Sequence, residues 1–447
     1  MTKDMTTGSP LRIILLFSIP VLLGSLFQQF YNMVDTIIVG RYLGEEALAA
    51  VGSTGCLMFL VLGFANGIAQ GFGVMVSHAF GAKDFKLLRH YVALSLILTL
   101  IISLLLTIPT VTASRLLLAW MHTPENIIAM ADAYIKVIFA GILLTMAYNV
   151  LSGILRGIGD SRTPLYFLIL SSVLNIILDV VLIVYTGLGT AGAAYATIIA
   201  QGVSAVLCFF YMYRKYDILR TRHEDYYLDS AGVKNMLAIG VPMALNYSIT
   251  AIGTMIMQSA VNVFGSSVVA AFTAASKVSN IATQSMPTLG TAMATYCGQN
   301  LGAGKYDRIY AGMRQGLFLC FGAAATAAAI CIFGGRFIVS WFVSNPSEEI
   351  FSSAMQYLTI ASWFFLPLAM IFLYRNALQG LDQGLIPMLS GVVELACRFG
   401  VIALIPASTG FFGVCFADPA AWAGAGIPLF ITYLLWEHRM KQCSMAV

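Results

Sequence analysis

Charged residues are scarce in this chain, at 10% of its 447 residues, whereas a soluble protein carries about 25%. Hydrophobic residues make up 59% of the sequence. The longest polar stretch, Arg214–Lys234, is too short to form a soluble domain and is better interpreted as a linker. This composition excludes an ordinary soluble protein. The net charge of +4 is then a signal of membrane topology, and no nucleic-acid partner is expected.

Motifs for metal sites, disulfides and enzymes are also missing. The eight cysteines are scattered without a CxxC spacing, which argues against a metal site and against a disulfide framework. The five histidines form no cluster along the sequence. No GxxxxGK[ST], HExxH or GxSxG motif occurs, so neither an ATP-driven pump nor an enzyme is expected. The sequence therefore predicts a protein that is not an enzyme and has no cofactor.

Long apolar runs recur from one end of the chain to the other. Each run has about 20 residues or more, which is enough to cross ~30 Å of hydrocarbon as a helix. We predict twelve spans and an all-α polytopic membrane protein. The spans are 11–38, 47–73, 90–118, 129–155, 163–186, 189–213, 235–264, 268–297, 310–335, 350–379, 385–407 and 412–436.

Lysine and arginine are distributed unevenly between the two sets of predicted loops. Most lie in one set, which includes Arg375, whereas the opposite set holds Arg41, Arg115 and Arg336. Because positively charged loops stay in the cytoplasm, both termini are predicted to be cytoplasmic in a multi-pass protein of the cell membrane.

Three motifs of the first half return in the second half. They are Ile19-Pro20 with Val241-Pro242, Ser77–Lys83 with Gly298–Gly304, and Leu155–Pro164 with Leu378–Pro387. The offsets are similar, from 221 to 223 residues (298 − 77 = 221; 378 − 155 = 223). Since six spans return the chain to its starting side, the halves are predicted to be parallel repeats, an arrangement typical of transporters.

The repeat sets the predicted domain organisation. Residues 1–213 form an N-terminal lobe with spans 1 to 6, and residues 235–447 form a C-terminal lobe with spans 7 to 12. Residues 214–234 form a cytoplasmic linker.

Asp35 lies inside the first predicted span and Asp179 inside the fifth. A charge at the centre of a bilayer costs roughly 2.5 to 3.5 kcal/mol even on insertion scales, so such residues are functional candidates. Gln28, Asn32 and Asp35 are spaced by four and three residues and share one helix face. Asn175 and Asp179 are four residues apart and share another.

The second half is different. Its predicted spans 7 and 8 contain no acid but offer Asn246, Lys277 and Gln284. Glu394 and Arg398 are four residues apart in span 11 and are interpreted as a structural ion pair.

Among the prolines inside the apolar runs, two lie at matching positions of the repeat. Pro20 lies in predicted span 1 and Pro242 in span 7, where each removes a backbone hydrogen bond. They are predicted to be positions where helices bend.

These features together resemble the bacterial multidrug and toxic compound extrusion (MATE) transporters of the MOP flippase superfamily. The similarity rests on the repeat and on Gln29–Thr36, Gly40–Gly44, Gly81–Asp84, Leu155–Pro164 and the Asn175/Asp179 pair. The resemblance implies a V-shaped pair of six-helix lobes that exports organic cations or other amphipathic toxic compounds by alternating access, in antiport with H⁺ or Na⁺.

The resemblance also implies roles for individual residues. Asp35, Asn175, Asp179 and Thr197 match the family's coupling-ion site, with Na⁺ at Asp35 and Asp179 if the ion is a metal. The substrate cavity is expected to be lined by Gln28, Asn32, Asn149, Asn246 and Gln284. A monomer in the lipid bilayer is expected. A flippase for a lipid-linked substrate is the alternative, but it would need more Arg and Lys residues deep in the spans.

Overall fold

The computed structural model describes residues 4–342, 347–405 and 407–445, and these residues are almost entirely helical. In chain order the α-helices are α1 Pro10–Leu43, α2 Glu45–Gly81, α3 Phe85–Trp120, α4 Glu125–Ala140, α5 Ile142–Gly157, α6 Arg162–Val180, α7 Gly189–Lys215, α8 Ser230–Asn262, α9 Ser266–Thr283, α10 Ser285–Gly302, α11 Tyr306–Phe342, α12 Glu348–Trp363, α13 Phe365–Gly380, α14 Leu385–Leu404, α15 Gly410–Val414 and α16 Ala417–Met445. The predicted all-α fold is confirmed.

Within the described ranges, nine helical segments are long and apolar enough to cross a membrane. Two bent pairs, α4 with α5 and α12 with α13, raise the number to eleven. These segments overlap eleven of the twelve predicted spans. The predicted eighth span, 268–297, coincides with α9 and α10. These two helices are not among the segments that are long and apolar enough to cross a membrane. Polar residues such as Lys277 lower the hydropathy there, and the helix is interrupted at Gln284.

The bends reflect the sequence repeat. The α4–α5 pair is bent by 47° next to Gly141, and the α12–α13 pair by 52° at Phe364. These positions are 223 residues apart (364 − 141), which is the offset of the nearby sequence motifs. The interruption at Gln284 has no counterpart in α2. Pro287 lies three residues later and cannot donate a backbone hydrogen bond to Thr283, which explains why the helix breaks there.

The chain divides into two compact units. One unit contains Ile19–Ser248 and the other contains Met5–Ser18 and Ile249–Val447. The residues of α1 and of α8 are therefore shared between the units. Residues 235–248, which the sequence analysis assigns to the C-terminal lobe, belong to the first unit by their contacts. The predicted linker at 214–234 stays a prediction.

In the first unit, three glycines at every fourth position bring α2 against α8. A Cβ atom on Gly67 would lie 2.4 Å from the Cα atom of Ala244, and one on Gly71 would lie 2.4 Å from the Cα atom of Gly240. Gly63 continues this row and faces Tyr247 at 3.2 Å. Because membrane helices gain little from hydrophobic burial against one another, such close backbone packing is a main source of their association.

The turn between α5 and α6 is held by Asp160, which is 5% exposed. Its carboxylate accepts hydrogen bonds from the backbone of Thr163 at 3.1 Å, the Thr163 hydroxyl at 2.6 Å and the Tyr216 hydroxyl at 2.5 Å. Burial by itself would raise the pKa of Asp160. These hydrogen bonds and the nearby Lys215 ammonium outweigh that effect, so the pKa lies below its ordinary value.

Candidate functional site

The first part of the site lies near the end of α6. Asn175 and Asp179 are one helical turn apart and are 2% and 0% exposed. The Asn175 amide donates to the Thr197 hydroxyl on α7 at 3.3 Å, and this hydroxyl donates to the Ala193 carbonyl at 3.1 Å. Directly after α6, Val181–Tyr185 form a π-helical turn, a feature that often accompanies functional sites. The structure thus brings Asn175, Asp179 and Thr197 together.

Asp35 comes from α1 and belongs to the same unit. It is partly exposed, and its carboxyl group lies close enough to that of Asp179 for the two groups to influence each other electrostatically. Residues 144 positions apart in the chain (179 − 35) therefore come together at one site.

This acidic pair is short of hydrogen-bond donors. Both oxygens of Asp179 and Oδ1 of Asp35 are buried, and none accepts a hydrogen bond from the described part of the chain. Two ionised carboxylates both accept, so they cannot bond to each other unless a proton lies between them. The Oδ1 atom of Asn175 is also buried, and it accepts no hydrogen bond from the described residues. Chemically, this group of oxygens can hold a shared proton or a cation.

Two tyrosines that are not predicted from the sequence also belong to this site. Tyr31 and Tyr134 both lie close to Asp35 and Asp179, and Tyr31 also interacts with Gln28 and Gln201. Tyr31 could have been found, because it precedes Asp35 by four residues and shares its helix face. Nothing in the sequence around Tyr134 distinguishes it from an ordinary apolar-helix tyrosine.

The residues predicted to line the substrate cavity are more widely distributed over the chain than those of the acidic site. Gln28 and Asn32 are exposed on α1, Asn149 is half-buried on α5, and Asn246 is buried on α8. These four belong to the first unit. Gln284 belongs to the second unit and lies at the break between α9 and α10.

The predicted bending positions lie inside continuous helices. Pro20 is buried within α1 and Pro242 is half-buried within α8. Pro20 comes two residues after Ser18, where the contacts of α1 change from the second unit to the first. Bending at these prolines stays a prediction.

In the second unit, Glu394 and Arg398 are part of a larger buried network. Arg398 contacts Glu394 at 3.4 Å and Asp418 at 2.9 Å, and Arg375 contacts Glu394 at 2.9 Å. Tyr357 donates its hydroxyl to Asp418 at 2.9 Å. The two arginines and two carboxylates balance in charge, so the network can be stable without a bound ion.

Two residues of this network, Arg375 and Asp418, are not predicted from the sequence to belong to it. Arg375 was expected in a loop, but it lies on α13 with a side chain that is 11% exposed. Asp418, in the first turn of α16, carried no predicted role. A Cβ atom on Gly253 of α8 would lie 2.0 Å from Nη1 of Arg398, so this glycine leaves the space that the guanidinium occupies.

Comparison with known proteins identifies the family. The MatE family model matches the chain twice, at residues 20–181 and 242–404. The probable multidrug resistance protein YpnP of Bacillus subtilis is 29% identical over 416 residues, which cover 92% of each chain. YoeA of the same organism, also a probable multidrug resistance protein, is 30% identical over 82% of this chain and 80% of its own.

Two further proteins are similar over most of the chain. The FAD transporter of Shewanella oneidensis is 25% identical over 90% of this chain and 88% of its own. An outward-facing structure of a multidrug resistance MATE family transporter matches with a TM-score of 0.90 at 24% identity, over 99% of both chains. The fold, the repeated match and the extent of these similarities lead to one conclusion: the chain is a multi-pass membrane protein that belongs to the MATE family of transporters.

Proposed function

We propose that this protein exports amphipathic compounds, organic cations among them, in antiport with H⁺ or Na⁺. The observation that carries the proposal is the pair of carboxylates Asp35 and Asp179, in which three buried oxygens, both of Asp179 and Oδ1 of Asp35, accept no hydrogen bond within the described residues. An ionised pair in this environment gains strongly from a proton or a cation, because a charge inside a membrane is costly. Loading and unloading of the site can therefore drive a conformational change.

The roles of the residues follow from their chemistry. Asp35 and Asp179 bind the coupling ion directly. Asn175 supplies a neutral oxygen if the ion is Na⁺, and Thr197 holds the Asn175 amide in position by accepting its hydrogen bond. Gln28, Asn32, Asn149, Asn246 and Gln284 are proposed to contact the substrate. The protein works as a monomer in the lipid bilayer with both termini in the cytoplasm, and it needs no cofactor.

A flippase for a lipid-linked substrate is disfavoured by the second unit. A diphosphate needs arginine or lysine side chains that are free to bind it. Arg375 and Arg398 are already engaged with Glu394 and Asp418. Lys277 is exposed, with its ammonium 5.5 Å from the Phe342 ring, and a single cation is a poor site for a diphosphate.

Transport in proteoliposomes tests the proposal. A fluorescent organic cation is exchanged against an imposed pH gradient or an imposed Na⁺ gradient, and the gradient that drives uptake identifies the ion. We expect Asp35→Asn and Asp179→Asn each to abolish gradient-driven transport, while the protein remains folded in size-exclusion chromatography.

The matched control removes a carboxylate elsewhere in the same unit. Asp217 pairs with Arg220 at 2.8 Å, but its side chain is 80% exposed. Asp217→Asn should transport as the unmodified protein does. Gradient-driven transport at the normal rate in Asp35→Asn or in Asp179→Asn would refute the assignment of that carboxylate.

A further inference from the structure

His90 lies in the second turn of α3 and is 5% exposed. Both nitrogens of its ring contact the segment that leads into α8. Nδ1 lies 3.1 Å from the backbone carbonyl of Asp225, and Nε2 lies 2.7 Å from Oδ1 of Asp229. All of these residues belong to the first unit.

The two partners of His90 can only accept hydrogen bonds. A carbonyl oxygen has no proton to give, and an ionised carboxylate has none either. A neutral imidazole carries a single N–H and satisfies one of these partners, whereas the imidazolium donates to both. The geometry therefore fits the charged form of His90.

Asp229 is ionised in this arrangement. The backbone N–H of Gly232 lowers the pKa of the Asp229 carboxyl, and the His90 ring lowers it further. The Gly232 N–H donates at 2.6 Å, so the same carboxylate caps the first turn of α8. The ring of Tyr227 stacks on that of His90, with 4.1 Å between the centroids.

Other charged and titratable groups surround the pair from both sides. On α3, Arg89 lies 3.4 Å from the carboxylate of Asp225, and the ring of Tyr91 is 6.2 Å from that of His90. On the connecting segment, Asp225 accepts a further hydrogen bond from the backbone of Arg222 at 2.7 Å. Because Arg89 offsets Asp225, the charge of His90 is left to pair with Asp229.

In the second unit, a lysine and an arginine hold the described part of the corresponding segment. There residues 5–8, which precede α1, contact α10 and the start of α11. Lys305 donates to the Thr6 carbonyl at 2.8 Å, and Arg308 donates to the carbonyls of Met5 and Gly8 at 3.0 and 2.8 Å. Lysine and arginine stay charged throughout the physiological range, whereas histidine changes its charge between about pH 5 and 8.

We propose that His90 and Asp229 form a pH-sensitive clasp that fixes the start of α8 to α3. The clasp is closed when His90 is charged. It loosens as the pH on its side of the membrane rises and the ring loses one of its two donors. Lysine and arginine in the loops assign that side to the cytoplasm. A histidine in this position lets cytoplasmic pH control the mobility of α8, whose close packing on α2 begins at Gly240, eleven residues after Asp229 (240 − 229).

Hydrogen exchange of the purified full-length protein tests the clasp directly. Protection factors, corrected for the intrinsic pH dependence of exchange, are measured for the segment 221–232 at pH 5.5 and pH 8. We expect protection about 10-fold lower at pH 8, since a charge-assisted hydrogen bond is lost. His90→Gln and Asp229→Asn should remove this difference.

His223 provides the matched control, because it lies in the same segment but is exposed. His223→Gln should keep the full pH dependence. Unchanged protection of the unmodified protein between pH 5.5 and 8 overturns the proposal, and so does loss of the pH dependence in His223→Gln. The measurement on the unmodified protein suffices for this test even if a variant fails to fold.

Transport gives a second readout, in which the unmodified protein and His90→Gln are compared without an ion gradient. The exchange of labelled for unlabelled substrate, measured without an ion gradient, should vary with cytoplasmic-side pH in the unmodified protein. In His90→Gln the change of the exchange rate with pH should be at least threefold smaller than in the unmodified protein. The reason is the one given for protection, where loss of a charge-assisted hydrogen bond is expected to have an effect of about 10-fold. An identical pH profile for His90→Gln refutes the regulatory role of the clasp.

Discussion

Glu394 is the carboxylate that links two arginines in the second unit, and its removal offers a sharp test of the network. In Glu394→Gln the shape is kept but one negative charge is lost. Within the described residues, Arg375 then keeps a 3.5 Å contact with the Ser390 hydroxyl and faces a neutral amide instead of a carboxylate, while Arg398 still has Asp418. The side chains of Arg375 and Glu394 are each 11% exposed, so water screens the uncompensated charge only slightly.

The expected cost is that of breaking a buried ion pair, about 3 to 5 kcal/mol. We expect Glu394→Gln to lower both the thermal stability in detergent and the yield of folded protein, while each folded molecule still transports. The assay is size-exclusion chromatography after heating, combined with transport normalised to folded protein.

Two comparisons make the result specific. Glu348→Gln removes a carboxylate that pairs with Arg336 at 2.8 Å, but with a side chain that is 75% exposed, so it should cost at most about 1 kcal/mol. Adding Arg375→Met to Glu394→Gln removes the uncompensated charge and should restore part of the stability. Normal stability of Glu394→Gln combined with loss of transport would refute the structural role and point to a functional one.

Two further predictions concern the packing of the first unit. Gly67→Val should abolish stable folding, because its side chain would collide with the backbone of Ala244 on α8. The control Gly55→Val, on the same helix with no atom within 4 Å of the added Cβ, should be tolerated, and equal yields of the two variants would contradict the packing argument. Asp160→Asn should lower thermal stability at pH 7. Because the pKa of Asp160 is depressed in the folded protein, its contribution is present above the ordinary value of about 3.9 and is lost as the pH falls below it. A stability difference between Asp160→Asn and the unmodified protein that stays constant down to pH 3 would be inconsistent with this account.

The spans and the repeat could be predicted because they are local properties of the sequence. Apolar length alone identified eleven spans that the structure supports by the same criterion. The eighth predicted span, 268–297, does not meet that criterion, because the polar residues of α9 lower its hydropathy and the helix is interrupted before Pro287. Arg375 is counted with the loops although it lies four residues before the end of the predicted span 350–379 (379 − 375), and hydropathy does not resolve which way a side chain near a helix end points.

The sequence by itself determined the membrane class, the duplication and, through family motifs, the residues of the acidic site. Helical spacing placed Asn175 with Asp179, since residues four apart share a face. Only the tertiary structure decided which distant helices meet. It brought Tyr134 to the acidic pair, Asp418 to Arg398, and His90 to Asp229. These contacts join residues on different helices, and no periodicity within one helix specifies its neighbour.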